Sequence, residues 1–285
     1  MSKDNKGILI GEKSETIGAK FHEARGKSAL LRELTEDPMH QINWETPYYN
    51  KFIDKCLADI DLTGKVCLDL GSGDGRFTEY LIKKGAKKVI CLDSDYQPLY
   101  NLSKHSTKEG YRDKIELIYS GAENIPIENE SVDVVLALGV YYYLGEEQEK
   151  GLKETCNKMK RGGILISSEP NLEGIALRSL LFDTLGDMVE NFTNHSFKEE
   201  QKDTKYRFPL YEEKKLLSLY ELSGFNLTYK KGLSIFHQII RIQYVRGLIS
   251  KEYLENSLDE LKGIFNYLDE NGKMNKTIMY KHIKK

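Results

Sequence analysis

No apolar run in this chain approaches the ~20 residues that a bilayer-spanning helix requires; the longest, such as Val132–Val140, stop far short of it. The polar start Met1–Asn5 lacks the charged-then-apolar order of a secretory leader. Both absences predict a cytoplasmic protein with no membrane attachment. Net charge is scarce as well: 42 Lys and Arg oppose 44 Asp and Glu, a formal charge of −2. Such a balance provides no global field to attract a nucleic-acid backbone or an anionic membrane. The lysine patches Lys83-Lys84, Lys87-Lys88, Lys214-Lys215 and Lys284-Lys285 are short and scattered, as solvated helix faces are, whereas a phosphate-tracking groove needs clustered charge. Cysteine is sparse: Cys56, Cys67, Cys91 and Cys156 show no CxxC pair and no Cys/His ligand spacing, so neither a disulfide nor a bound metal is expected. Repeats and low-complexity tracts are absent, and Trp44 is the single tryptophan beside 18 tyrosines.

What the chain does have is 285 residues with 40% hydrophobic content, enough to bury a full core. Short β-rich apolar runs at Lys65–Leu70, Lys88–Asp93, Ile115–Ser120, Val132–Leu138 and Ile164–Glu169 alternate with helical segments at Arg76–Lys84, Pro98–Lys108 and Glu146–Lys160. Alternation of this kind implies right-handed crossovers and a mainly parallel sheet. Gly85 and Gly162-Gly163 follow the first and third of these helices, where a residue of positive φ closes a helix. A further helix starts at Thr46-Pro47, with Thr as cap and Pro in the first helical position, and runs to about Ile60. Beyond Glu169 come an apolar helix-like stretch over Leu172–Val189, a polar one to Arg207 and a helix over Tyr211–Leu222. A strand at Phe225–Lys230, helices near Leu233–Leu248 and Ser250–Leu268, and a strand near Lys276–Ile283 complete the chain. The expected architecture is a doubly wound α/β fold with a seven-stranded, mainly parallel sheet and helical lid insertions. Its parts are an arm or lid over 1–45, a core over 46–170, a lid or substrate insertion over 171–209, and 210–285 completing the core around a helical insertion at about 233–270.

The most informative stretch is Val66-Cys67-Leu68-Asp69-Leu70-Gly71-Ser72-Gly73-Asp74-Gly75-Arg76, a buried strand running into a glycine loop that opens a helix. Glycines at alternate positions let the backbone turn sharply and approach a bulky ligand, which then meets backbone N–H groups. Asp93, with Ser94 beside it, closes the next strand roughly 20 residues on, where a doubly wound fold places the carboxylate that binds ribose hydroxyls. The dinucleotide fingerprint is G-x-G-x-x-G, and the spacing Gly71-x-Gly73-x-Gly75 does not match it.

An acidic residue followed by G-x-G-x-G resembles the first motif of the class I methyltransferases, in particular the type 11/25-like, small-molecule subgroup. Ser120-Gly121-Ala122-Glu123-Asn124-Ile125-Pro126 is similar to that family's G-D-A-E-x-L-P segment, and Ser131-Val132-Asp133-Val134-Val135 to its S-F-D-x-V entry into the fourth strand. The resemblance implies S-adenosylmethionine as cofactor, with the loop backing its adenosine and methionine parts and Asp69 holding the methionine amino group. It places the Ala122 backbone at the adenine ring, and Leu138 and Gly139 at the methionine end. Gly121 stands where the family has Asp, so Glu123 or a backbone carbonyl is expected to meet the adenine amino group instead.

Methyl transfer from a sulfonium is an in-line displacement, which needs a nucleophile held ~3 Å from the methyl carbon and water kept out. A general base matters for a hydroxyl or protonated amine. By position the candidates are Tyr141, His195 and His237, with Tyr142, Glu169, His22 and His40 behind them. Trp44, Tyr48 and Tyr49 precede or open a helix from which aromatic faces reach the cofactor or anchor the arm. Tyr141–Tyr143 with Tyr206, Phe208 and Tyr211 suggest an aromatic pocket for a small-molecule methyl acceptor. The chain is expected to act as a monomer or homodimer. RNA or protein methylation, or a catalytically idle cofactor-binding subunit, are the alternatives.

Overall fold

Runs of Val, Ile, Leu and Cys form strands whose two faces are both buried, the pattern of a parallel sheet covered by helices on each side. The structure, a computed structural model, describes residues 2–25, 41–182, 185–201, 204–234, 239–240, 243–244, 246–257, 260–261, 263–264 and 275–285. In chain order the described elements are β1 (Ser2–Lys3), β2 (Ile8–Ile10), α1 (Ile17–Arg25), α2 (Gln41–Cys56), β3 (Val66–Leu70), α3 (Arg76–Lys83), β4 (Lys88–Asp93), α4 (Tyr96–Lys108), β5 (Ile115–Tyr119) and β6 (Val132–Leu138). They continue with a 3₁₀ segment at Tyr141–Glu147, α5 (Gln148–Lys158), β7 (Met159–Pro170), α6 (Leu172–Phe182), α7 (Leu185–Thr193), β8 (Ser196–Gln201), β9 (Thr204–Pro209), α8 (Glu213–Leu222), β10 (Phe225–Ser234), α9 (Lys251–Asn256) and β11 (Asn275–Lys284).

One sheet has the order β1-β2-β5-β4-β3-β6-β7-β11-β10. The strands β2, β5, β4, β3, β6 and β7 run parallel, while β1, β11 and β10 are antiparallel to their neighbours. From β3 the chain builds outward through β4 to β5, then returns to the other side of β3 with β6. The strand order therefore reverses between β3 and β6, and the crevice beyond their C-terminal ends is where such sheets bind ligands. Alternate side chains feed two cores. Cys67, Cys91, Leu117, Val134 and Ile166 pack with Phe52, Ile53, Phe77, Leu81 and Leu99 on one face, and Leu68, Ile90, Val135 and Leu165 pack with Leu152, Leu216 and Tyr220 on the other. All four cysteines are buried free thiols.

The doubly wound α/β sheet follows the expected pattern, with several corrections. The sheet has nine strands because the N-terminal segment supplies two: β2 pairs with β5, and Asp4 Oδ1 closes the β1–β2 turn by accepting the N–H groups of Lys6 and Ile8. Helix α2 begins at Gln41, with Pro47 inside it, so the Thr46-Pro47 cap is not used; Pro removes one helical N–H bond and the packing of Phe52, Ile53 and Cys56 carries the helix regardless. Gly162-Gly163 close no helix. Helix α5 ends at Lys158, and residues 160–163 bulge from β7 between the pairs Val132–Met159 and Val134–Ile164. The polar part of the 171–209 insertion is the β8–β9 hairpin, and Leu233 and Ser234 complete β10 where a helix was expected.

Aromatic rings join these additions above the sheet edge. Tyr143 meets Phe208 at 4.9 Å and Phe21 of α1 at 6.1 Å, Tyr142 meets Phe197 at 5.6 Å, and Phe21 meets Phe208 at 5.6 Å. A side chain at Gly18 would collide with Tyr143, so α1 can dock on the 3₁₀ segment only because residue 18 is glycine. The arm, the 3₁₀ segment and the hairpin thus form one roof.

Candidate cofactor and acceptor site

At the end of β3 the chain turns through Gly71, Gly73 and Gly75, whose φ values are 70°, 52° and 88°. A Cβ at residue 71 would lie 2.7 Å from Val140 Cγ2, and one at residue 75 would collide with Leu102, so both glycines are demanded by packing. At Gly73 nothing lies within 4 Å of that position, and the loop faces open space. The loop's N–H groups point inward: Gly71 and Ser72 donate to the Leu92 carbonyl at 2.8 and 3.1 Å, Gly75 to that of Ser72 at 2.9 Å, and Gly73 to Asp93 Oδ2 at 2.7 Å. A ligand here meets the bare Cα face of Gly73, a correction to the expected run of free N–H donors. Pyrophosphate binding depends on such free donors, so the geometry also disfavours a dinucleotide.

Two carboxylates flank the loop. Asp69 is buried and accepts the Thr78 hydroxyl at 2.6 Å; burial raises its pKa to about 6 against the lowering effect of that bond. Asp93 holds Gly73 N–H with one oxygen and Asp95 N–H at 2.8 Å with the other, and burial raises its pKa to about 6 against the backbone donors of Asp95, Gly73 and half-buried Ser94. Beyond β5, Ala122 is buried, and the Glu123 carboxylate folds into the space a side chain at Gly121 would occupy. Glu123 Oε2 and Ser72 Oγ are buried with no hydrogen-bond partner among the described residues. Unpaired buried oxygens beside an open glycine face fit a nucleoside that brings its own donors.

At the other end, Leu138 and Gly139 are half-buried, Gly139 N–H donates to the Ser168 carbonyl at 3.3 Å, and the Tyr142 hydroxyl sits 3.7 Å from where a Gly139 Cβ would be. Buried Tyr49 places its hydroxyl 3.5 Å from Ser168 Oγ and its ring 5.7 Å from Phe77. Burial pushes the Tyr49 hydroxyl up to about 12 and that of Tyr142 well above its ordinary value, so both stay protonated at neutral pH.

The expected bases are not assembled here. Tyr141 is fully buried in the core with its hydroxyl donating to Thr155 Oγ1 at 2.9 Å, because the first residue of the 3₁₀ segment points down and its neighbour Tyr142 points to the sheet edge. His195 is exposed in the turn between α7 and β8. His237 and His40 lie outside the described residues. Glu169 is buried and takes the Tyr220 hydroxyl at 3.0 Å, with its pKa raised to about 8 by burial. Residues that the sequence reading passed over are Thr78, Val140, Ser168 and Arg76; only Arg76, directly after the glycine loop, carried a signal of position.

A cavity of about 1150 Å³ lies between Tyr48 and Phe52 of α2, Asn171 and Leu172 after β7, Tyr211 before α8, and Gly232 of β10, with Lys51, Lys55, Lys230 and Lys231 in its lining. Among the described residues no cluster of three or more His, Cys, Asp or Glu is placed to hold a metal, and no helix is long and apolar enough to cross a membrane.

Residues 68–167 match a methyltransferase domain family. The chain is similar to a ribosomal protein L11 methyltransferase of Vibrio cholerae, 41% identical over 136 residues, which are 47% of this chain and 45% of the relative. It is also similar to a sarcosine/dimethylglycine N-methyltransferase of Aphanothece halophytica, 28% identical over 107 residues, 38% of each chain. The match thus spans less than half the length of these relatives. A crystal structure of an S-adenosylmethionine dependent methyltransferase from Listeria monocytogenes superposes with a TM-score of 0.58 at 17% identity, covering 82% of this chain and 96% of that one. Glycine loop and matched domain agree: residues 68–167 carry a methyltransferase domain, within a chain that shares its fold with the superposed methyltransferase.

Proposed function

We propose that the protein transfers the methyl group of S-adenosylmethionine to an O, N or C nucleophile of a small molecule by in-line displacement. The observation that carries this reading is the open Gly73 face, next in sequence to the unpaired buried oxygen of Ser72 and joined by a second such oxygen, Glu123 Oε2, beyond β5. When bound, the cofactor supplies an electrophilic methyl group on a cationic sulfur. Asp93 fixes the loop and faces the ribose, Asp69 offers negative charge to the amino group, and Glu123 accepts from the adenine amine. Leu138, Gly139, Tyr49 and Tyr142 line the reacting end.

The aromatic roof over the sheet edge, and a cavity of about 1150 Å³ that begins at Tyr48 and Leu172, support a small acceptor, since ligand cavities of roughly 300–1,000 Å³ suit small organic molecules. Tyr49 and Tyr142 remain hydrogen-bond donors near neutrality, so they position the acceptor and exclude water while its nucleophile arrives with a free lone pair. The test has two stages. Calorimetry with S-adenosylhomocysteine should show saturable binding, and its absence would end the cofactor reading. Methyl-labelled S-adenosylmethionine with fractionated extract should then label a fraction below about 1 kDa, the size such a cavity admits. Label confined to RNA or protein would refute the small-molecule acceptor.

A further inference from the structure

We infer that the methyl acceptor is an organic anion, an apolar body bearing a carboxylate or phosphate monoester, whose charged group is held by Lys231 in the cavity between α2 and β10. This rests on the small-molecule reading above and names its class of acceptor. Tyr48, Lys51, Phe52 and Lys55 stand at i, i+3, i+4 and i+7, so they share one face of α2, and all four line the 1150 Å³ cavity. Across from them, Tyr229 and Leu233 of β10 pack toward the same core as Phe52, and the period of two along a strand puts Lys231 on that face between them. The Phe52 and Tyr229 rings stack at 5.4 Å and 17°, and Lys55 Nζ lies 4.5 Å from the Tyr229 centroid. Two elements thus bring three lysines to one aromatic wall.

Lys230 points the other way, to Glu213 of α8, whose two oxygens accept its ammonium at 2.7 and 2.8 Å. Lys231 is half-buried and has no acidic partner among the described residues. The lining carries five lysines and three glutamates, whereas the whole chain carries 42 basic residues against 44 acidic ones, so the positive excess is local to this cavity. A half-buried ammonium beside apolar side chains keeps little hydration, and an anion that pairs with it restores what burial removed. Leu172, Leu233, Ile278 and Met279 complete the wall and suit an apolar body. Leu172 also belongs to the aromatic roof, against which Tyr142 packs, so roof and cavity share a wall. Asn171 Nδ2 donates to the Asn275 carbonyl at 2.8 Å, and a side chain at Gly232 would collide with the Asn275 amide, which stays in the lining as a neutral polar contact. The anionic group is not the nucleophile. A second atom of the acceptor donates its lone pair to the methyl carbon, the C–S bonding pair returns to sulfur, and any proton on that atom passes to solvent, so the product keeps its negative charge.

The experiment incubates the full chain with methyl-labelled S-adenosylmethionine and the fraction of an extract below about 1 kDa, then passes the labelled product over a quaternary-ammonium resin at mildly alkaline pH. Retention on the resin is expected. Retention abolished by alkaline phosphatase assigns the charge to a phosphate, and retention that survives the phosphatase assigns it to a carboxylate; both support the inference. Lys231→Gln should lower labelling at limiting extract at least about ten-fold, the loss of a charge-assisted contact, with S-adenosylhomocysteine affinity within about two-fold of wild type and Lys231→Arg keeping most of the labelling. Thermal melts report whether each variant folds. A labelled small product that flows through the resin overturns the inference and leaves the small-molecule reading standing, as does Lys231→Gln labelling equal to wild type. Label confined to RNA or protein, or a wild type that does not bind S-adenosylhomocysteine, refutes the function on which the inference rests.

Discussion

The Asp93 carboxylate accepts the Gly73 N–H at 2.7 Å, tying the tip of β4 to the middle of the glycine loop that leaves β3. Its second oxygen holds the Asp95 N–H, whose own side chain caps α4 by accepting from Gln97 N–H. One side chain therefore sets the loop and starts the next helix, and under the proposed function it also faces the ribose. Asp93→Ala should remove ribose contacts and leave two backbone donors without their acceptor. Cofactor affinity is expected to fall at least about ten-fold and the unliganded fold to lose about 2 kcal/mol, with Asp93→Asn losing less of both. Calorimetry and thermal melts check this; an Asp93→Ala protein with wild-type affinity removes Asp93 from the site.

Gly73 and Gly75 are neighbours in the motif with opposite demands. Gly73→Val puts a branched side chain into the open face and at a φ of 52°, so binding of S-adenosylhomocysteine should vanish while the protein stays folded, with a stability loss of about 1–2 kcal/mol. Gly75→Ala meets Leu102 in the core and should destabilise the fold before any ligand is added. Circular dichroism with titration separates the two. A Gly73→Val protein that still binds contradicts the open-face geometry.

The loop and its flanking strands were readable in the residues, and the misplaced features have physical causes. Glycine spacing and the apolar run before it located the loop because alternating positive φ has few solutions outside glycine. Tyr141 is not at the sheet edge because sequence does not show which way consecutive residues of a 3₁₀ turn point: Tyr141 goes to Thr155 in the core and Tyr142 to Gly139. Likewise Ile8–Ile10 is too short for a periodic signal, and only its pairing with β5 makes it a strand. Pro47 misplaced the start of α2 because tertiary packing overrode local propensity.

Cofactor affinity should depend on pH through Asp69 and Asp93, both raised to about 6 by burial. A raised carboxylate binds a proton in the unliganded fold across roughly pH 4–6, and that proton must leave before the group can pair with an ammonium or face a ribose as an anion. Binding is therefore expected to be flat above about pH 7 and to weaken as pH falls through 6, by up to about ten-fold per unit for each proton released. Asp69→Asn should reduce the slope by one proton. Affinity that stays constant from pH 8 to 5 rules out both assignments.

If Glu123 reads the adenine amine as proposed, it leaves a distinctive signature. Its carboxylate occupies the space left by Gly121, and Oε2 has no partner among the described residues, so it awaits a donor. S-adenosylhomocysteine offers an amine there and S-inosylhomocysteine an oxygen, so wild type should favour the former by at least about ten-fold. In Glu123→Ala this preference should collapse with little change in thermal stability, because the buried unpaired oxygen leaves with the side chain. If the variant retains the preference, another group reads the amine.

His282 carries the stability prediction. Its ring is fully buried on β11, stacked on Tyr220 at 4.1 Å and 3°, and neither nitrogen has a hydrogen-bond partner among the described residues. Burial lowers its pKa to about 3, so the folded protein keeps it neutral while the unfolded chain takes up a proton near pH 6.5. Between these values the unfolded state binds more protons, and stability from this site is lost as pH falls below 6.5. Asp69 and Asp93 act in the opposite direction over the same range, since their raised pKa values favour proton uptake by the fold. The clean measurement is therefore the difference between wild type and His282→Phe, which preserves the stacking and removes the titration. Urea unfolding should show that difference shifting in favour of the variant by about 2 kcal/mol between pH 7 and pH 5. A difference independent of pH would show that His282 finds a proton-accepting partner in the fold, and would overturn its neutral burial.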